Sequence, residues 1–201
     1  MTTQWRLYDT YGAAMDAVRR LEEAGIAASE ISVIGHDDVV RPTGERTATL
    51  AGSATGSGIG GVVGGGAGLM AAAGMLAVPG IGPVVAAGWL ATTLAGIVAG
   101  AAAGGVVGGF AGSVVDVFAA SGVAREDADL YAEAVRRGAT LVTVRASEAS
   151  DAEVRRLLDA SHAVDLAERR RLYEEAGWRF FDPTAIDYKA TVEADARRQV
   201  G

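Results

Sequence analysis

The sequence predicts an α+β protein: a split ferredoxin-like βαβ…βαβ domain interrupted by a long antiparallel glycine-zipper helical hairpin. Three observations lead there. From Thr47 to Val115, 69 residues carry no ionisable side chain and hold 20 of the 28 glycines. On either side of that stretch, β-branched runs and charged amphipathic runs follow in the order strand, helix, strand. Within those flanks, Val18-Arg19-Arg20-Leu21 is repeated as Val154-Arg155-Arg156-Leu157. Two βαβ halves sharing one antiparallel sheet make the ferredoxin-like arrangement. Here the hairpin between strands two and three is replaced by an insertion of about a hundred residues. The boundaries are 1–46 for the first half and linker, 47–120 for the glycine-rich hairpin, 121–168 for the second half, and 169–201 for an aromatic and charged tail.

Trp5 to Tyr8 reads as a short strand, followed by a helix over 11–24 with Ala14, Val18 and Leu21 on one face. Gly25 stands where a left-handed helix cap belongs, with Ile26 packing back on the last turn. Ile31-Ser32-Val33-Ile34 is the second strand, ended by Gly35. Residues 36–49 are polar, contain a proline and a glycine, and read as a linker. The helical arms span roughly 50–78 and 84–119. A charged helix over 125–137 turns Leu130, Tyr131, Ala134 and Val135 inward and stops at Gly138. Thr140-Leu-Val-Thr-Val144 is rich in β-branched residues and is the clearest strand. Ser150-Asp-Ala-Glu153 reads as a capping box, opening a helix with Val154, Leu157 and Leu158 on one face. Ala163 to Leu166 is a fourth strand. In the tail, Glu168 to Ala176 is helical and Gly177 to Pro183 an aromatic turn covering the domain or a neighbouring subunit. Residues 193–199 form a last charged helix.

The glycines carry the functional argument. Gly52, Gly56, Gly60, Gly64 and Gly68 recur every four residues, as do Gly96, Gly100, Gly104, Gly108 and Gly112. Pro79-Gly80-Ile81-Gly82-Pro83 lies between the series as a helix-ending turn. Folding back on Gly82 brings 68 to 96, 64 to 100, 60 to 104, 56 to 108 and 52 to 112. A glycine costs a helix about 1 kcal/mol relative to alanine, so ten at helical spacing require a compensating contact. Close approach of two backbones supplies it. Both ends of such an insertion must emerge on one side of the sheet, which an even number of long helices achieves.

Each arm is long enough for a bilayer, which takes about 20 residues. Yet only 22 of the 69 residues are large apolars. At roughly −0.3 to −0.6 kcal/mol each, an arm gains about 3–6 kcal/mol from lipid. Insertion of a preformed hairpin or oligomer is therefore favoured over insertion of a lone arm. The expected setting is the inner (cytoplasmic) membrane with the ferredoxin-like domain in the cytoplasm, the protein self-assembling as a homo-oligomer. The alternative is a cytoplasmic, soluble homo-oligomeric scaffold or shell component whose hairpins interlock.

Other chemistry finds little support in the sequence. A net charge of −7 argues against general nucleic-acid binding, which needs a basic face. The absence of cysteine removes disulfide and thiolate chemistry. Met1 to Arg6 lacks a secretory signal pattern. Gly56-Ser-Gly58-Ile-Gly60-Gly61 matches G-x-G-x-x-G, but no strand precedes it and no acid follows before Asp116, so no dinucleotide is expected. His36-Asp37-Asp38 reads as a solvated turn rather than a metal site, and His162 as a cap on helix carbonyls. Glu22-Glu23, Asp127 with Asp129, and Glu174-Glu175 read as solvated helix faces. Arg169-Arg170-Arg171 reads as helix surface, with anionic lipid as the competing use. An enzyme or small-ligand sensor would have to use the open face of the sheet, and no constellation for it is found. No catalytic residue, cofactor, metal or small-molecule substrate is assigned.

At Ala24-Gly-Ile-Ala-Ala-Ser-Glu-Ile-Ser-Val-Ile34, Val78-Pro-Gly-Ile-Gly-Pro-Val-Val-Ala-Ala-Gly88 and Tyr131-Ala-Glu-Ala-Val-Arg-Arg-Gly-Ala-Thr-Leu-Val-Thr-Val144, the chain resembles the bacterial general-stress (heat-induced stress, YflT-type) protein family. The Gly-Trp and Asp-Pro of the tail fit as well. The resemblance implies a role in stress response, with no activity and no catalytic residue to carry over.

Overall fold

A computed structural model describes residues 2–36, 74–78, 80–102 and 113–184. The chain is α+β, with an antiparallel sheet and six α-helices among the described residues. In order these are β1 (Thr2–Tyr8), α1 (Tyr11–Glu23), β2 (Ile31–His36), β3 (Gly74–Val78), β4 (Gly82–Gly88), α2 (Trp89–Ala102), α3 (Val114–Ala120), α4 (Arg125–Arg136), β5 (Thr140–Ala146), α5 (Asp151–Asp159) and α6 (Leu166–Glu175). The sheet order is β1-β5-β2-β4-β3, every neighbouring pair antiparallel.

The alternation along each strand divides its side chains between two layers. On one face Tyr8, Ile31, Val33, Val142 and Val144 meet α1 and α5 through Ala14, Val18, Leu21, Val154 and Leu158. The repeated four-residue segments sit in these two helices. Val18, Leu21 and Val154 are buried in the shared layer, Leu157 is partly so, and all four arginines are exposed. Gln4 Nε2 donates to Asp151 at 2.6 Å, and Arg6 Nε to Asp159 at 2.6 Å, tying α5 to β1. The other face, read from sequence as open, is covered. Leu7, Ile34, Val84 and Leu141 pack there with residues of α2, α3 and α4.

The arms predicted for 50–78 and 84–119 differ most from what is found. Residues 74–78 and 82–88 are strands, and they extend the sheet beyond β2. Within the segment expected to end a helix, Gly80 and Ile81 form a turn, but it joins two strands rather than two helices. Val78 pairs with Gly82 and Gly74 with Ala86, which centres the hairpin on Gly80. Valines at 78, 84 and 85 suit a pleated surface, and β2 has an edge for β4 to occupy. The second arm becomes helical only at Trp89. Its far end is a separate helix, α3, begun by Ser113, whose Oγ accepts from the Val115 N–H. Among the described residues no helix is long and apolar enough to cross a membrane.

Smaller expectations change too. The second strand continues through Gly35 to His36. Residues 163–166 are not a strand: the Val164 N–H makes a single ladder-like bond to the Leu7 carbonyl at 2.8 Å, and Asp165 then caps α6 by accepting from Ala167 and Glu168. The Ser150 capping box does not form. Ser150 has helical backbone angles, and its hydroxyl accepts from the Ser147 N–H instead. Residues 193–199 lie outside the described residues.

Candidate assembly site at the root of the glycine-rich segment

Gly88 and Ser32 fix where the glycine-rich segment leaves the sheet. Gly88 has φ +84°, and a Cβ there would lie 2.8 Å from the Ser32 Cα, with the Ile31 carbonyl closer still. Only a residue without a side chain lets β4 turn this tightly over β2. Ser32 is fully buried; its hydroxyl donates to the Ala87 carbonyl at 2.5 Å and accepts from the Leu90 N–H at 3.1 Å. One side chain thus satisfies a strand-end carbonyl and a free amide of the first turn of α2. Arg145 lies over the Trp89 ring at 4.9 Å, held by Glu30 at 2.9 Å.

From this root α2 runs 14 residues without a charge. Leu90 and Leu94 are buried in the layer beneath, while Thr92, Thr93 and Gly96 face outward. A Cβ built on Gly96 meets no atom within 4 Å, so no described residue packs against it. Gly100 also belongs to α2. Gly52, Gly56, Gly60, Gly64, Gly68, Gly104, Gly108 and Gly112 lie outside the described residues, as does Pro79.

The turn residues occupy a different kind of site from the one expected. Gly80 and Gly82 have φ +78° and +95°, and Ile81 is buried between them. The tail reaches this turn. A Cβ on Gly80 would stand 2.8 Å from the Pro183 carbonyl oxygen, overlapping the proline backbone. Trp178 and Phe181 are buried in the layer that also holds Val78 and Ile81, while Phe180 is 65% exposed. The aromatic turn thus covers the domain with two of its three rings.

Beneath the tail lies an ionic cluster that the sequence hid in an ordinary charged helix. Glu133 is fully buried and accepts from Arg136 and from Arg137, the latter at 2.6 Å. Arg136 stacks over Phe181 at 5.4 Å and Arg137 over Tyr173 at 4.1 Å. A helical Glu followed by two arginines reads as solvated surface unless the aromatic tail is known to lie on it.

His36 is buried at the end of β2, opposite Val84, rather than in an exposed turn. His162 is exposed, with φ +59° after the last turn of α5. Arg169, Arg170 and Arg171 pair with Asp9, Asp127 and Glu175, so this run is engaged within the protein's own surface. Asp129 accepts from the Phe181 N–H at 3.3 Å. Burial raises the Glu22 carboxyl above its ordinary pKa. Among the described residues no three acidic or histidine side chains converge on a metal position.

No family model, curated protein or solved structure matches this chain.

Proposed function

We propose that this is a non-enzymatic, self-assembling protein of the stress-response type, in which a split ferredoxin-like domain carries a glycine-rich segment that packs against other copies and a lipid bilayer. The fold reading is supported by the succession β1, β5, β2, by α1 and α5 lying together on one face, and by the Val164 bond at the free edge of β1. The observation that carries the functional reading is α2. It is rooted by Leu90 and Leu94, uncharged along its length, and presents Thr92, Thr93 and Gly96 outward. Such a surface suits close helix contact far better than it suits water.

In this reading the domain stays in the cytoplasm beside the inner membrane. The protein should remain in the membrane pellet after alkaline carbonate extraction of native cells. Gly60→Leu and Gly104→Leu should disrupt the oligomer measured by light scattering and leave the sheet's circular dichroism intact. An unchanged oligomer in both variants would remove the zipper from the account. A second reading, a soluble homo-oligomeric scaffold, is favoured by one feature: part of the insertion is already built into the domain's own sheet as β3 and β4. Release into the supernatant on carbonate treatment, with the oligomer retained, selects it.

A further inference from the structure

The described part of the tail beyond α6 makes its contacts at two places far apart in sequence. One is α4, where Phe181 donates to Asp129 at 3.3 Å, Arg136 Nη1 donates to the Asp182 carbonyl at 3.4 Å, and the Arg136 guanidinium lies over the Phe181 ring. The other is the β3–β4 turn, where Pro183 fills the space left by the missing side chain of Gly80. Phe181 is 4% exposed and shares one apolar layer with Val78 and Ile81 of that turn. Glu133 holds Arg136 from beneath, which fixes the guanidinium facing the tail.

We propose that Trp178–Pro183 is a strap clamping the β3–β4 hairpin onto α4, so that seating of the tail and ordering of the root of the glycine-rich segment are one coupled equilibrium. The hairpin supplies an edge of the sheet, and β3 is bonded within the sheet through β4. Edge elements with one paired side are the first to open locally. The strap seats through the burial of Phe181 and the fit of Pro183 on Gly80. When it lifts, Ile81 and Val78 lose their cover and the hairpin loosens; when the hairpin moves, Pro183 loses its seat. Coupling of this kind is reciprocal. It goes beyond the assembly reading and is independent of whether the glycine-rich segment meets lipid or another subunit.

Reciprocity supplies the test, made on the full-length protein, with each change read at the other partner. Phe181→Ala should raise amide exchange across 80–88 by at least about tenfold, while β1, β5 and α1 keep their protection. Gly80→Ala, placed on the hairpin, should lift the strap and speed tryptic cleavage after the exposed Arg179 by a similar factor. Unchanged exchange at 80–88 in Phe181→Ala overturns the proposal. So does unchanged cleavage after Arg179 in Gly80→Ala, since a strained turn alone would leave the strap seated. A uniform rise in exchange throughout the sheet would also overturn it, by making Phe181 an ordinary core residue.

Discussion

The two faces of the sheet are built on different principles. The face under α1 and α5 is mainly aliphatic and drawn from the flanking halves with Ala87 of β4: valines, alanines, leucines, an isoleucine and one tyrosine, whose hydroxyl donates to the Leu158 carbonyl at 2.8 Å, with further polar ties at the rim. The face under α2, α3 and α4 is drawn from both halves, the insertion and the tail. It holds the stacked and edge-on group of Trp5, Phe118 and Tyr131, and a buried carboxylate lies at its border. The first face follows from local periodicity. The second exists only once residues of the insertion and the tail have joined those of the two flanks, and the tail lays its Phe181 N–H on Asp129 and its Asp182 carbonyl on Arg136 in doing so. The middle of the chain thus helps close the layer opposite α1 and α5.

The contrast can be broken most forcefully at Glu133. Glu133→Ala leaves two largely buried guanidiniums without their shared acceptor, and breaking such a pair costs about 3–5 kcal/mol. The urea midpoint should fall accordingly, and a loss near that of an exposed pair, about 0–1 kcal/mol, would show the cluster to be solvated. Leu158→Ala probes the opposite face. A cavity there should cost about 2–5 kcal/mol, and tryptic cleavage after Arg179 should stay at the wild-type rate because the tail sits on the other layer. Faster cleavage would mean the two layers fail together. Ser32→Ala is a subtler change. It strands the Leu90 amide and the Ala87 carbonyl, at about 1–3 kcal/mol, and amide exchange should rise at 87–94 with little change at 141–146.

Alkaline titration compares the layers with one type of group. Burial is the main cause that raises the Tyr8 phenol, with Arg6 opposing it and Asp159 adding to it. Burial also raises Tyr131, with Asp127 adding and Arg6 opposing. Both are held neutral in the fold while an unfolded phenol ionises near pH 10. Their contribution is therefore complete below about pH 10 and is lost as pH climbs from there toward the folded values. Denaturation midpoints taken from about pH 9 to about pH 11 should fall in the wild type and fall less in Tyr8→Phe and in Tyr131→Phe. Equal slopes in all three proteins would show that neither phenol is shielded.

Much of the first face was legible because its signals are local. The helix over 11–24 closes as expected, with the Ile26 N–H donating to Leu21, and Thr140 opens the predicted strand. Alternation of valines and spacing of Val18, Leu21, Val154 and Leu158 contain the information by themselves. The root of the glycine-rich segment was less legible. Gly88 reads as one more small residue in an uncharged run, and its need for φ +84° comes from Ile31 and Ser32, distant in sequence. Short apolar runs such as 74–78 and 84–87 fit a buried strand or a buried helix equally by periodicity. Availability of the β2 edge decided between them.

By itself, then, the sequence determined which segments are amphipathic, where the uncharged block begins and ends, and that its glycines recur at helical spacing, since these depend on near neighbours along the chain. The tertiary structure alone decided that the proline-glycine turn joins strands, that Ser32 holds the start of α2, and that Pro183 rests on Gly80. Each of those outcomes depends on which remote backbone comes close enough to accept a hydrogen bond or exclude a side chain, and proximity of that kind is not written in the spacing of residues.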